Sequence, residues 1–246
     1  MPKVFLSAGH GGSDPGAVAF GMKEKDINLK VLLYCREELM RHGVDVAYSR
    51  IRDENDRKEE EVREANASGA SLAVSFHVNA GRGDGFEVYY HTQSSGDKKI
   101  ALLCEKYVKQ LGQNSRGIKS GNHLYFVNST KMPCCLVESF FIDNDRDNDI
   151  GDTDAELQAF GTAYAKAILE YYGITYKAVN DLTKEDVIKI IKEYEAAKAK
   201  EAPGAWSAES FAKAKAAGIM DGTAPKSPAT REQIAAILDR CGLLDR

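Results

Sequence analysis

Two kinds of hydrophobic pattern alternate along this chain as far as about residue 173. Short apolar runs rich in Val, Leu and Phe are typical of buried strands. They occupy residues 4–8, 44–49, 72–78, 86–91, 124–127 and 135–141. Segments with helical spacing separate several of these runs, and this alternation predicts an α/β domain in which helices flank a mostly parallel or mixed twisted sheet.

Four segments of this first part predict helices. Apolar residues recur at helical spacing from Ile27 to Met40, and Gly43 ends that segment. A highly charged stretch over residues 53–66 predicts a mostly solvent-exposed helix. Two further amphipathic segments, at about residues 100–111 and 157–169, predict helices that cover the sheet.

The composition changes after Gly173. Residues 182–199 are rich in Lys, Glu and Ala, and the Pro203-Gly204 pair ends this predicted helical connector. The remaining residues predict a small all-α unit, which is marginally stable alone and would pack on the rest of the chain or on copies of itself as a homo-oligomer. The predicted division is therefore a catalytic domain at 1–175, a helical linker at 176–203 and a small helical domain at 204–246.

Charge and apolar content exclude several classes of partner. The chain has 246 residues and a formal net charge of −4 with mixed signs, which indicates no nucleic-acid or anionic membrane surface. Because it lacks an apolar N-terminal leader and a stretch of roughly 18 apolar residues, we expect neither a signal peptide nor a membrane span. The odd number of cysteines (Cys35, Cys104, Cys134, Cys135 and Cys241) favours buried reduced thiols.

Candidate chemistry lies where three apolar runs end. His10 follows the first run, His77 ends the third, and Glu138 lies within the last, while Glu24 opens the first helix. Strand ends of an α/β sheet converge on a ligand crevice, and two histidines with one carboxylate supply the ligands of a catalytic zinc site. Glu138 is unusual because a carboxylate inside an apolar run is costly unless it is used.

Each of these residues also has a structural interpretation. Either histidine could be a hydrogen-bonded structural residue, and the helix dipole alone favours an acidic residue such as Glu24 in a first turn. The spacings match no local zinc signature, so residue types by themselves leave the metal hypothesis open.

An ordered set of motifs resembles a known family. SAGHGGSDPGA, EVREANASGASLAVSFHVNA, GFEVYY and CLVESFF occur in the order found in the zinc-dependent N-acetylmuramoyl-L-alanine amidases of the amidase type 3 family. The resemblance covers about residues 2–173. It implies one Zn²⁺ per chain, held by His10, Glu24 and His77, with Glu138 as the catalytic acid and base.

The same resemblance implies a substrate. Family members hydrolyse the amide between the lactyl group of N-acetylmuramic acid and L-alanine, so peptidoglycan is the expected partner. Gly11, Gly12 and Asn79 are candidate substrate contacts, although Asn79 could equally cap its own loop. Arg63 and Asn66 match a family stretch, and we expect them to brace their helix against neighbouring loops.

The last forty or so residues include WSAESFAKAKAAGIMDGTAPKSPATREQIAAILDR, and this segment resembles a single S-layer homology motif. Such motifs bind secondary cell-wall polymers, usually as three copies, and the alternative is a packed cap or a dimerisation unit. An amidase unit, a charged linker and a wall-targeting tail without an export signal together resemble a phage endolysin. Such a protein is made in the host cytoplasm and acts on the wall after membrane permeabilisation.

Two other functions compete with this interpretation. A zinc endopeptidase would cut within the stem peptide, and a non-catalytic wall-binding protein would retain the fold without turnover. The presence of all four candidate residues argues against the second alternative.

Overall fold

The computed structural model describes residues 1–178 and positions 212, 213 and 216. Met1–Lys177 form one compact unit. From residue 179 onward the predicted linker, the small helical domain and Cys241 lie outside the described residues, apart from those three isolated positions. No helix in the part that is described combines the length and the apolar character needed to cross a membrane.

A six-stranded mixed sheet forms the centre of the described unit. Its strands lie in the order β4-β1-β5-β8-β6-β7. All neighbouring pairs are parallel except β8 and β6, which are antiparallel. The strands are β1 (Lys3–Ala8), β4 (Asp45–Tyr48), β5 (Leu72–Asn79), β6 (Phe86–Tyr90), β7 (Ser115–Ser120) and β8 (Cys134–Phe141), and β2 (Val18–Ala19) pairs with β3 (Met22–Lys23) as a separate hairpin.

Helices cover the two faces of this sheet unequally. The long helices α1, α3 and α6 pack with one face into the larger hydrophobic core, whereas α2 and α4 cover part of the other face. Their bounds are α1 (Glu24–Arg41), α2 (Lys58–Ala67), α3 (Ser95–Lys109), α4 (Tyr125–Ser129), α5 (Asp145–Asn148) and α6 (Asp154–Tyr171). The second face therefore stays open beyond the two short helices.

The structure confirms the predicted α/β class and corrects two elements. The run at residues 124–127, predicted as a strand, begins the short helix α4, in which Phe126 and Val127 are buried and Tyr125 is exposed. A four-residue apolar run fits either element, and here burial on one side of a helical turn prevails. The sixth strand is instead β7, whose sequence SRGIKS is mostly polar because it lies at the edge of the sheet.

The charged segment at 53–66 is helical only from Lys58, and residues 53–57 form a loop. The prediction of buried thiols is confirmed for Cys35, Cys104, Cys134 and Cys135, which are free and buried. The bracing prediction for Asn66 is also confirmed, because its amide donates to the carbonyl of Ser129 and accepts from the N–H of Lys131. It is wrong for Arg63, whose side chain is 72% exposed and pairs with the adjacent Glu64.

The contact between α1 and α6 generates a prediction about Gly161. A Cβ at this position would lie 2.6 Å from the Cβ of Tyr34 and 2.9 Å from the backbone of α1. Backbone atoms cannot move aside, so overpacking of about 1–3 kcal/mol exceeds the gain in helix propensity of about 1 kcal/mol. We expect Gly161→Ala to lower the midpoint of thermal unfolding by about 3 °C, as for a net loss of about 1 kcal/mol in a domain of this size. Gln158→Ala, at an exposed position of the same helix, is the control and should leave the midpoint unchanged; equal midpoints for both variants would contradict the close packing.

Candidate active site

Three adjacent strands bring the predicted residues together. β1, β5 and β8 are neighbours in the sheet and run in the same direction, so their carboxyl ends lie at one edge. His10 follows the end of β1, and His77 and Glu138 are direct partners in the register of β5 and β8. Their convergence confirms what the strand-end pattern predicted.

The loop after β1 holds His10 in an unusual backbone conformation. The φ angle of His10 is 65°, in the left-handed region that side chains rarely adopt. Reciprocal backbone hydrogen bonds between Gly11 and Asp14 close the loop beyond it. Gly9 has no room for a side chain, since a Cβ there would lie 2.0 Å from the imidazole of His77. The loop thereby holds the imidazole rings of His10 and His77 close to each other, with ring centroids 5.3 Å apart.

Glu24 reaches the same point from the start of α1. The β2–β3 hairpin leads the chain into this helix. The N–H of Glu24 donates to the carbonyl of Ala17, and the N–H of Ala17 donates to the Glu24 side chain. The Glu24 side chain is about 5% exposed, and its Oε2 accepts from the N–H of Ala17 at 2.9 Å. Its position in the first helical turn favours the ionised carboxylate.

These three side chains form a compact group of potential metal ligands. One ligand atom from each of His10, Glu24 and His77 lies within 4.8 Å of the other two. Oε1 of Glu24 is 3.3 Å from Nε2 of His10 and 3.0 Å from Nδ1 of His77. Ligands of a tetrahedral zinc ion with bonds of about 2.1 Å lie about 3.4 Å apart, so both the spacing and the donor chemistry fit zinc.

The charges within this group depend strongly on one another. Burial alone would raise the pKa of Glu24, but hydrogen bonds from His10 and His77 lower it below the usual range. The hydrogen bond to Glu24 raises the pKa of His10 to about 9, with a further contribution from Asp14. For His77, burial opposes the shift, but the hydrogen bond to Glu24 still raises its pKa. A buried anion thus attracts positive charge to this point, as a cation site requires.

Glu138 lies beside this group without joining it. It is not one of the clustered ligands, and its Oε2 is buried without a hydrogen-bond partner among the described residues. Burial raises the pKa of this carboxyl group to about 7; the positive charge of His77 opposes the shift, and the negative charges of Glu24 and Glu87 add to it. A carboxyl group with a pKa near neutrality can both accept and donate a proton.

The three predicted substrate contacts are occupied within the protein. Asn79 donates from Nδ2 to Oε2 of Glu87 at 3.1 Å, and its Oδ1 accepts from the N–H of Ala80. Gly11 and Gly12 pack against the loop at residues 53–55, and the Gly12 N–H donates to Asp53. Gly11 also lines the cleft described below. Substrate contact by these three residues stays a prediction.

Two residues of the site were missed by the sequence analysis. Asp14 accepts a hydrogen bond from Nδ1 of His10 at 2.8 Å, which orients the ring and leaves Nε2 facing Glu24. Its spacing of four residues from His10 was the available signal. Arg50 is 1% exposed and donates to the carbonyls of Ala8, Gly9 and Lys25, so it joins the loop to α1. No local pattern distinguishes Arg50 from the neighbouring charged residues, since its partners are distant backbone carbonyls.

A cleft of about 630 Å³ opens from the metal-ligand group along the partly covered face of the sheet. Its walls come from the first loop, the segment before and within α2, and the start of α4. The lining residues include His10, His77, Asp56, Arg57, Tyr125 and Leu136. A cleft of this size and mixed polarity accommodates an extended polar substrate next to a metal ion.

Comparisons with known proteins agree with this geometry. Residues 4–170 match the amidase type 3 family, described as N-acetylmuramoyl-L-alanine amidase. The chain is 31% identical over 182 residues to the N-acetylmuramoyl-L-alanine amidase CwlM of Bacillus licheniformis, covering 72% of each protein. It is 34% identical over 192 residues to an endolysin of Bacillus phage SPP1, covering 74% of this chain and 70% of the relative.

A solved structure shares the fold. The catalytic domain of CwlV, an N-acetylmuramoyl-L-alanine amidase from Bacillus (Paenibacillus) polymyxa var. colistinus, matches with a TM-score of 0.67 at 28% identity. The match covers 71% of this chain and all of that domain. Together with the two histidines and the carboxylate that fit a zinc ion, these matches show that the chain belongs to the amidase type 3 family of zinc-dependent N-acetylmuramoyl-L-alanine amidases.

Proposed function

We propose that this chain hydrolyses the amide between N-acetylmuramic acid and L-alanine in peptidoglycan, with Glu138 as the general acid and base. The observation that carries the proposal is the position of Glu138. Its buried carboxyl group lies next to His77 across two parallel strands, and its Oε2 has no hydrogen-bond partner among the described residues. A buried acid without a partner is costly, and a role in proton transfer explains its retention.

The residues divide the work of the reaction. His10, Glu24 and His77 would hold one zinc ion, which when bound supplies a Lewis acid that lowers the pKa of water and polarises a carbonyl group. Asp14 keeps the ring of His10 oriented. Glu138 takes a proton from the attacking water and delivers it to the nitrogen of the leaving L-alanine, which a carboxyl group with a pKa near 7 can do in both directions.

The products distinguish this reaction from the alternatives. An amidase acting on purified peptidoglycan releases amino-terminal alanine without new reducing sugars. A zinc endopeptidase would release amino termini of other residues, a glycosidase would release reducing sugars, and a non-catalytic wall-binding protein would release neither. Amino-terminal and reducing-end assays on the same digest therefore test the proposal directly.

The proposed role of Glu138 predicts a variant that binds zinc but has lost turnover. We expect Glu138→Gln to keep one zinc ion per chain, because the residue is not a ligand, and to lose at least a hundredfold in turnover, because the amide cannot transfer protons. Metal analysis and alanine release from peptidoglycan measure the two properties. His77→Ala should lose both zinc and turnover.

Glu37→Gln, which changes the same charge at an exposed position of α1, is the control and should keep wild-type activity. Full activity in Glu138→Gln would remove Glu138 from the mechanism. Loss of zinc in Glu138→Gln would make it a ligand instead.

Zinc binding should also release protons near neutral pH. Because the pKa of His10 is raised to about 9, the metal-free protein holds a proton on this ring that must leave before the ring can bind a metal. We expect apparent zinc affinity to rise with pH up to about 9, and calorimetry in buffers of different ionisation enthalpy to record proton release at pH 7. Asp14→Asn removes one cause of the raised pKa, so its proton release should shift to lower pH. Binding without proton release at pH 7 would contradict the paired state of His10.

We further propose that the protein is a phage endolysin for host lysis. The relative named endolysin, at 34% identity, supports this role. As an endolysin it would be made in the host cytoplasm and would reach the wall after the membrane is permeabilised. The S-layer-like sequence of residues 204–246 would bind a secondary cell-wall polymer, alone or as a homo-oligomer, and the linker at 176–203 would connect it to the amidase domain.

The role proposed for this tail can be tested by truncation. A chain that ends at Lys177 keeps the complete compact unit and should still release alanine from peptidoglycan. We expect it to bind purified walls at least tenfold more weakly than the full chain in co-sedimentation, with the oligomeric state of both recorded by light scattering. Equal wall binding by the two chains would exclude the tail as a wall-binding element.

A further inference from the structure

A row of ionisable side chains crosses the open face of the sheet next to the metal-ligand group. Glu138 is the register partner of His77 on one side and of Glu87 on the other. Direct partners in neighbouring strands project to the same face. Glu87 therefore lies on the same face as the candidate catalytic carboxylate, one strand further from the metal site.

Glu87 is a buried carboxylate with an unusually complete set of partners. It is 3% exposed, and its Oε2 accepts hydrogen bonds from Asn79 at 3.1 Å and from the hydroxyl of Tyr89 at 2.7 Å. Its Oε1 accepts from Nε of Arg116 and Nζ of Lys119, each at 2.5 Å. Three strands thus direct polar groups at one carboxylate.

The two cations cover Glu87 and carry excess charge. The side chains of Arg116 and Lys119 are 43% and 34% exposed, so they form the surface at this point. One carboxylate balances only one of the two positive charges. Glu87 accepts from Nε of Arg116 and from Nζ of Lys119. An arginine head group carries five N–H donors and a lysine head group three, so both keep donors that are not bonded to Glu87.

The proposed function places the scissile bond beside Glu138, and a stem peptide bound there would bring its second residue within reach of the excess charge. Neighbouring strands are about 4.8 Å apart, so β7 lies about 10 Å from β8 and Glu138. An extended peptide advances about 3.5 Å per residue, which places the second residue beyond the scissile amide about 7 Å away. Long side chains such as Arg116 and Lys119 bridge the remaining distance.

We propose that Arg116 and Lys119, positioned by Glu87, form a subsite for a carboxylate of the stem peptide. This inference rests on the proposed amidase function and names a substrate class for it. The amino sugars of the glycan are neutral once the lactyl group is in amide linkage, whereas the stem peptide carries carboxylates, so a cation pair belongs to the peptide side. The enzyme would prefer stem peptides whose second residue keeps a free α-carboxylate over those in which this group is an amide.

The test compares two soluble muramyl tripeptides that differ only at that group: L-alanyl-γ-D-glutamyl-L-lysine and L-alanyl-γ-D-isoglutaminyl-L-lysine, each on N-acetylmuramic acid. We expect the wild-type enzyme to show a KM about tenfold lower for the carboxylate form, as for one charge-assisted hydrogen bond at a partly exposed site, with similar kcat. In Arg116→Gln/Lys119→Gln the two KM values should become equal, and only the carboxylate substrate should lose affinity.

Further variants separate this role from a purely structural one. Glu87→Gln removes the internal negative charge but keeps an Oε1 acceptor for both cations, so it should keep or increase the preference. The triple variant with all three glutamines leaves no buried charge unpaired and should abolish it. Arg116→Lys and Lys119→Arg conserve charge and should keep it. Arg63→Gln, an exposed arginine on α2, is the matched control.

The outcomes also distinguish the two levels of inference. If the wild-type enzyme releases no amino-terminal alanine from peptidoglycan, the proposed function fails. If it does release alanine but its KM is the same for both tripeptides, the proposed subsite is wrong. The same conclusion follows if neither tripeptide saturates the enzyme. Equal losses on both substrates in the double variant would assign the cations a structural role only and would overturn the proposal as well.

Discussion

The site depends on one buried carboxylate. Glu24 lies at the start of α1, directly after the β2–β3 hairpin, where the helix dipole favours its ionised form. It is buried, and its lowered pKa keeps it ionised. Such a charge is tolerated only with partners, and here the partners are the imidazoles of His10 and His77. The left-handed backbone at His10 and the bare Gly9 persist because this attraction holds the two rings around one anion. A divalent cation satisfies the same anion more completely, so the arrangement favours metal binding.

The sheet topology then determines what surrounds that anion. Parallel strands β1, β5 and β8 bring the ligands and Glu138 to one edge, and β6, which pairs antiparallel with β8, continues the same row with Glu87. Short helices cover only part of this face, which leaves a cleft beside the smaller hydrophobic cluster. Glu138, whose Oε2 has no hydrogen-bond partner in the described part of the chain, and Glu87, which has four, are direct neighbours with different purposes: one is available for protons and the other positions cations.

Much of the fold could be predicted because the burial of strands and helices produces a pattern of apolar residues in the sequence. β5 and β8 are buried along almost their whole length, and α1 alternates in helical register, so both patterns are readable. The edge strand β7 carries no such trace because one side faces solvent, and the apolar start of α4 is too short to separate helix from strand. Arg50 was missed for a related reason, since it bonds to distant backbone carbonyls that no spacing encodes. Asp14 was missed although its spacing of four residues from His10 was a usable signal.

The sequence by itself determined the α/β class, the positions of His10 and His77 near strand ends, the position of Glu138 within a buried strand, and through its ordered motifs the amidase family. These features are local, since each follows from periodicity, a turn or a contiguous motif. The tertiary structure decided which side chains meet: that Glu24 joins the two histidines, that Glu138 stays outside the ligand group, and that Glu87 gathers Arg116 and Lys119 beside it. Those contacts join residues that are distant in the chain, so they depend on strand order and register, which set distances that the order of residues alone does not contain.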